Sequence, residues 1–132
     1  MDTSVLVDLF RGVETSATLA FERFEANGVP LAFPAICCQE LLQGARDLQE
    51  WKKLEGVLST QRIVVPSDPF STHLEAARIF FDARRRGITL RGSTDCLIAQ
   101  LAIERDGALL HDDRDFDRIA ELRPLRVAPK LQ

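Results

Sequence analysis

Residues 111–116 read HDDRDF and place His111, Asp112, Asp113, Arg114 and Asp115 directly behind the apolar run GALL. Carboxylates this close repel one another, and a chain tolerates them where a cation or water offsets the charge. Oxygen ligands of this kind suit a hard divalent cation that retains several of its waters. The plainer alternative is a solvated acidic loop. Calcium bound in an EF-hand is excluded. Asp113, Asp115 and Asp117 match the opening ligands of that loop, but Arg118 stands where glycine is needed and Pro124 where the bidentate glutamate is needed.

A metal site needs further acids, and the elements that would carry them follow from the pattern of the chain. The segment from Glu14 to Ala26 has helical apolar spacing and ends at Asn27-Gly28. PLAFP reads as a short strand, AICCQELLQGARDLQEWKKLEGVL as one long or two consecutive helices, and RIVVP as a second strand rich in β-branched residues. From Phe70 to Arg86, Leu74, Ala77, Phe80 and Phe81 recur at three- and four-residue steps and mark an amphipathic helix. Core packing is the expected use of Phe80, Phe81, Leu41, Leu42 and Trp51. Another helix is expected over 94–105 with Ser93 as its N-cap, followed by a strand ALL, a helix DFDRIAEL and a strand LRVA.

Strands alternating with helices predict an α/β fold with a mostly parallel sheet covered on both faces, in one domain spanning residues 1–132. Ligands of such folds bind beyond the carboxyl ends of the strands. Asp113 follows the strand ALL, Asp95 lies in the first turn of the helix before it, and Glu40 lies early in the helix after LAFP. Asp2 precedes TSVLV, where a first strand is expected to be finishing. These four acids can therefore converge on one edge, although Asp95 at a helix start also has a purely structural reason to be acidic.

Composition narrows the function. The formal charge of −3 provides no global basic field for nucleic acid, so a polyanionic substrate has to be held by bound metal or by local arginines. Arg84, Arg85, Arg86 and Arg91 in DARRRGITLRG are the candidates, and Arg84 to Arg86 also suit a helix C-terminus. Cys37, Cys38 and Cys96 contain no CxxC pair and are expected as reduced thiols. His73 and His111 lie too far apart in sequence to support a structural zinc site. No apolar run is long enough to span a membrane, and the start MDTSVLVDLFRG lacks the basic residues of a signal peptide, so a cytoplasmic protein is expected.

The segments DTSVLVDLFRG, QELLQG and STDCLIAQLAIERDGALLHDDRDFDRI, in this order and separation, resemble the PIN-domain ribonucleases, in particular the VapC toxins of toxin–antitoxin pairs. The resemblance covers almost the whole chain. It implies a three-layer α/β/α fold with a central parallel sheet of four or five strands, and metal-dependent cleavage of RNA. It also implies that Asp2, Glu40, Asp95 and Asp113 are the four acids of the site, with Asp115 auxiliary to them. Thr3 and Ser4 are implied as supporting hydroxyls, and Ser93 is grouped with them. The expected cofactor is Mg2+ or Mn2+, and the expected partners are RNA, a VapB-type antitoxin and a second copy of the chain.

Two features depart from the family pattern. Met1 directly precedes Asp2, where relatives carry several apolar residues of a central first strand. His111 stands where threonine or serine is usual, and is expected to be a partly exposed strand-end residue outside the catalytic set. Two rival functions are weighed against the nuclease. A haloacid-dehalogenase-type phosphohydrolase also uses a DxD pattern, but Asp113-Arg114-Asp115 lies at the wrong end of the chain for it. An inactive PIN-like binding module is opposed by the complete set of four acids.

Overall fold

The computed structural model describes residues 1–130. In chain order the elements are α1 (Thr3–Arg11), α2 (Ser16–Ala26), β1 (Phe33–Pro34), α3 (Ala35–Gln43), α4 (Leu48–Leu58), β2 (Ile63–Val64), α5 (Pro69–Arg85), α6 (Ser93–Glu104), β3 (Ala108–Leu109), α7 (Arg114–Leu122) and β4 (Arg126–Val127). Local chemistry explains most helix starts. Thr15 and Thr18 form a reciprocal capping box on α2. Asp47 and Asp68 accept from the backbone N–H of Glu50 and Ser71 to open α4 and α5, and Pro69 occupies the first turn of α5. Gly12, at φ +68°, takes the left-handed conformation that closes α1.

The strand content is smaller than expected. β1 pairs with β2 in parallel, Phe33 opposite Ile63, and β3 pairs with β4 in parallel, Ala108 opposite Arg126. Among the described residues these are two separate two-stranded sheets, not one ladder of four or five strands. Met1 and Asp2 run between the two pairs, the Met1 nitrogen donating to the Ala32 carbonyl at 3.3 Å and the Asp2 N–H to the Leu110 carbonyl at 3.0 Å. These two residues thus bond to both pairs without forming a strand between them. TSVLVDLFR then turns immediately into α1, with Val5 and Leu6 buried.

The core gathers on this frame. Ile79 of α5, Ile98 of α6, Leu109 of β3 and Phe116 and Ile119 of α7 are enclosed in one cluster, and Val5 of α1 joins Ala17, Ala20 and Leu110 in a second. Burying each large aliphatic or aromatic side chain stabilises the fold by about 1.5–3 kcal/mol relative to exposure. The face that α5 turns inward differs from the expected one. Thr72, Ala76, Ile79 and Ala83 are buried, whereas Leu74 is 51% and Phe81 52% exposed. A stripe through positions 72, 76, 79 and 83 has the same helical period as one through 74, 77 and 81, and the smaller residues permit close approach of α5 to α6. Leu41 is buried as expected, while Trp51 lies partly in solvent.

Candidate metal centre

Asp113 sits just beyond β3 as the N-cap of α7, with an extended backbone and a side-chain oxygen that accepts from the Asp115 N–H at 3.0 Å. Asp115 falls in the first turn of α7 and is almost completely enclosed. Asp95 occupies the first turn of α6. One carboxylate oxygen from each of Asp95, Asp113 and Asp115 lies within 4.8 Å of the other two. Three oxygens at this separation can share one divalent ion, and the absence of nitrogen or sulfur from the set favours a hard cation.

Asp2 and Glu40 stand outside that triplet. The Ser4 hydroxyl donates to Asp2 Oδ2 at 2.5 Å, and the Thr3 hydroxyl to Glu40 Oε1 at 2.6 Å. Asp2 is buried, Glu40 half-buried, and both are close enough for their charge to act on Asp95. Thr3 and Ser4 thus touch the acids the resemblance implies. Ser93 does not. Gly92 is the N-cap of α6, no side chain caps that helix, and Ser93 is its exposed first residue. The N-cap position needs an extended backbone, and it is Gly92, at φ −160° and ψ 159°, that supplies it.

The charges are distributed unevenly. Arg91 places Nη2 2.5 Å from Asp113 Oδ1, Nε 3.5 Å from Asp115 Oδ2, and donates its backbone N–H to Asp115 at 3.0 Å. Arg118, one turn along α7, approaches the other oxygen of Asp115 at 3.6 Å while donating to the Thr89 carbonyl. Burial works to raise the Asp113 carboxyl, but the Asp115 N–H and the Arg91 guanidinium outweigh it and hold that carboxyl below the usual carboxylate range. Among the described residues no basic side chain pairs with Asp95. Burial first, then the charges of Asp2, Asp113, Asp115 and Glu40, push its carboxyl up to about 7. An uncompensated acid facing four others is what a bound divalent ion would relieve.

Arg84, Arg85 and Arg86 are exposed at the end of α5, with the Arg84 guanidinium over the Phe80 ring and that of Arg85 over Phe81. Of the four arginines singled out in the sequence, only Arg91 touches the acids. Arg118 was missed, although its i,i+3 spacing from Asp115 on a helix is a readable signal. His111 also differs from expectation. It is fully enclosed, its ring 5.0 Å from that of Phe116, because β3 carries it into the core behind the acid cluster. A groove of about 350 Å³ opens beside Glu40 between α1, α3 and α4, and brings Arg11, Arg46 and Lys53 near the site.

Carboxylates gathered near the carboxyl end of a short parallel strand pair, with arginines on one side, form an acid cluster on an α/β frame that could hold a metal ion. The PIN domain family's sequence pattern matches residues 1–122. Two relatives are the VapC ribonuclease Mb1587 of Mycobacterium bovis and ribonuclease VapC11 of Mycobacterium tuberculosis, each 34% identical over 131 residues that cover 97% of this chain and 96% of the relative. The chain belongs to the PIN-domain family and, within it, to the VapC branch.

Proposed function

We propose that this protein is a metal-dependent endoribonuclease, the toxin of a toxin–antitoxin pair. The observation that carries the reading is the Asp95, Asp113 and Asp115 triplet, whose oxygens converge within 4.8 Å while no basic side chain among the described residues pairs with Asp95. The naming of the relatives as VapC ribonucleases supports the same reaction. In this reading Asp95, Asp113 and Asp115 hold one or two Mg2+ or Mn2+ ions together with Asp2 and Glu40. A bound ion of this kind supplies activated water and stabilises charge on the leaving oxygen of a phosphodiester.

The chain's own residues do the rest. Thr3 and Ser4 fix which oxygens of Glu40 and Asp2 face the cleft. Arg91 is exposed on its outer side and can exchange its carboxylates for a phosphate of the RNA, and Arg84, Arg85 and Arg86, exposed at the end of α5, are further candidates for phosphate contacts. A VapB-type antitoxin and a cytoplasmic location are proposed from family membership, and no described helix is long and apolar enough to cross a membrane. A homodimer is proposed as well, and the exposed stripe of Phe70, Leu74 and Phe81 on α5 offers it an apolar contact.

The direct test is incubation of a structured RNA mixture with purified, antitoxin-free protein in Mg2+ or Mn2+ and in EDTA, beside Asp95→Asn and Asp113→Asn. Metal-dependent cutting with 5′-phosphate and 3′-hydroxyl ends, lost in both variants, is the expected result. A 2′,3′-cyclic phosphate product, or cutting that survives EDTA, overturns the mechanism.

A further inference from the structure

His111 is an enclosed ionisable side chain beside the acid cluster that the proposed reaction does not use. Its Nδ1 lies 3.1 Å from the backbone nitrogen of Asp113. A backbone N–H can only donate, so Nδ1 is the acceptor and carries no proton. The ring proton of the neutral imidazole therefore sits on Nε2. That atom is buried with no aligned hydrogen-bond partner, although Asp117 Oδ1 lies 3.4 Å away.

The bond belongs to a continuous series through the site. Leu110 accepts from the Asp2 N–H, His111 from the Asp113 N–H, the Asp113 carboxylate from the Asp115 N–H, and the Asp115 carboxylate from the Arg91 N–H. Only one of these acceptors, the His111 ring, is a side chain that lies outside the acid set. Packed against Phe116 and fully enclosed, the ring has little freedom to turn away. It fixes the turn from β3 into α7, and that turn sets where the carboxylates of Asp113 and Asp115 point.

We infer that His111 is a positioning residue: its unprotonated Nδ1 holds the Asp113 backbone so that Asp113 and Asp115 present their oxygens as metal ligands. The metal part of this statement rests on the reading of the acid triplet as a metal site, whereas the hydrogen bond does not. Groups that orient metal ligands in this way typically change affinity about 10- to 100-fold when removed. Asparagine can place its Oδ1 near the position of Nδ1, and leucine fills the space without an acceptor.

The experiment compares wild type, His111→Asn and His111→Leu by two readouts. The first is metal-independent: imidazole 15N shifts in the wild type, and hydrogen exchange at the Asp113 amide in all three proteins in EDTA. Expected are an unprotonated Nδ1 with a protonated Nε2, Asp113 protection retained in His111→Asn, and protection reduced at least about tenfold in His111→Leu relative to the other core amides. The second is Mn2+ titration, where affinity falls about 10- to 100-fold in His111→Leu and stays within a few-fold of wild type in His111→Asn. A protonated Nδ1, or equal Asp113 protection in all three proteins, overturns the inference. So does equal Mn2+ affinity in all three, or an equal loss in both variants with the fold intact. Should the wild type bind no Mn2+, the metal reading fails and with it the ligand-presenting part, while the exchange data still decide whether His111 holds Asp113.

Discussion

The two walls of the acid cleft are built on opposite principles. On one wall Asp113 and Asp115 sit at the start of α7, where the helix N-terminus favours negative charge, and Arg91 and Arg118 neutralise them. On the other, hydroxyls bond Asp2 and Glu40 and the charge of both acts on Asp95, with no arginine or lysine paired to these three among the described residues. The first wall is complete as a folded structure. The second has a surplus of negative charge, and burial, reinforced by the charges of the surrounding acids, pushes the carboxyl of Asp95 up to about 7. On the proposed reading the contrast separates what the fold needs from what the reaction needs: the compensated wall would give geometry, and the uncompensated wall affinity for a cation.

The strongest way to break this comparison is to neutralise one acid from each wall. Asp95→Asn and Asp113→Asn should each lower the RNA cleavage rate by about 100- to 1,000-fold, as for other groups that set the charge at a reacting centre. Their stabilities should move apart. A carboxyl whose folded pKa is raised favours the folded state below its unfolded pKa, and this contribution is lost as pH rises through the folded value. In EDTA, Asp95 therefore costs stability progressively between about pH 4 and 7. Asp95→Asn should melt above wild type at pH 8, read by thermal denaturation. Asp113→Asn should melt below it, since Asp113 has a lowered pKa and its contribution is present above the ordinary carboxylate pKa and lost on acidification.

Metal binding sharpens the same contrast. The ion needs Asp95 deprotonated, so Mn2+ affinity should rise about tenfold between pH 6 and pH 8 in the wild type and much less in Asp95→Asn. Isothermal titration at the two pH values tests it; a flat wild-type profile removes Asp95 from the ligand set. Next in size is Arg91→Gln. Without its guanidinium Asp113 and Asp115 become freer for the cation, so Mn2+ affinity should increase a few-fold. RNA binding should weaken, with the slope of log K against log salt reduced by about 0.7 to 1. The smallest effect is expected from Ser93→Ala. Because Gly92 and not Ser93 opens α6, its stability should stay within about 0.5 kcal/mol of wild type by chemical denaturation.

Part of the acid cluster that the structure brings together was legible from sequence, and the limits have physical causes. Asp95, Asp113 and Asp115 could be found because each is fixed by a short-range signal, a helix first turn or a strand end, and such signals survive without knowledge of the fold. Most later helices were readable from apolar residues at three- and four-residue steps, but α1 was not, since TSVLV was expected at the end of a first strand, and the cap expected at Ser93 falls at Gly92. The sheet was not readable, because pairing is decided across the chain: whether PLAFP and ALL share one ladder depends on what lies between them, and only Met1 and Asp2 do. The burial of His111 and the exposure of Phe81 are of the same kind. Each depends on which of two faces a neighbouring element covers, and a local pattern does not specify this.

The two-residue bridge between the strand pairs has a mechanical meaning. β1 leads directly into α3, which carries Glu40, and β3 leads through His111 to Asp113, so the two strand pairs are separate arms that each hold acids at their tips. Met1 and Asp2 join those arms with two backbone hydrogen bonds, one to Ala32 and one to Leu110. The seam lies where a pair of tongs has its rivet: with the core that both arms share, it holds them behind the tips at which, on the proposed reading, a cation would be gripped. Slackness at Ala32 or Leu110 would thus be felt as a change in grip on the ion, in residues that never touch it.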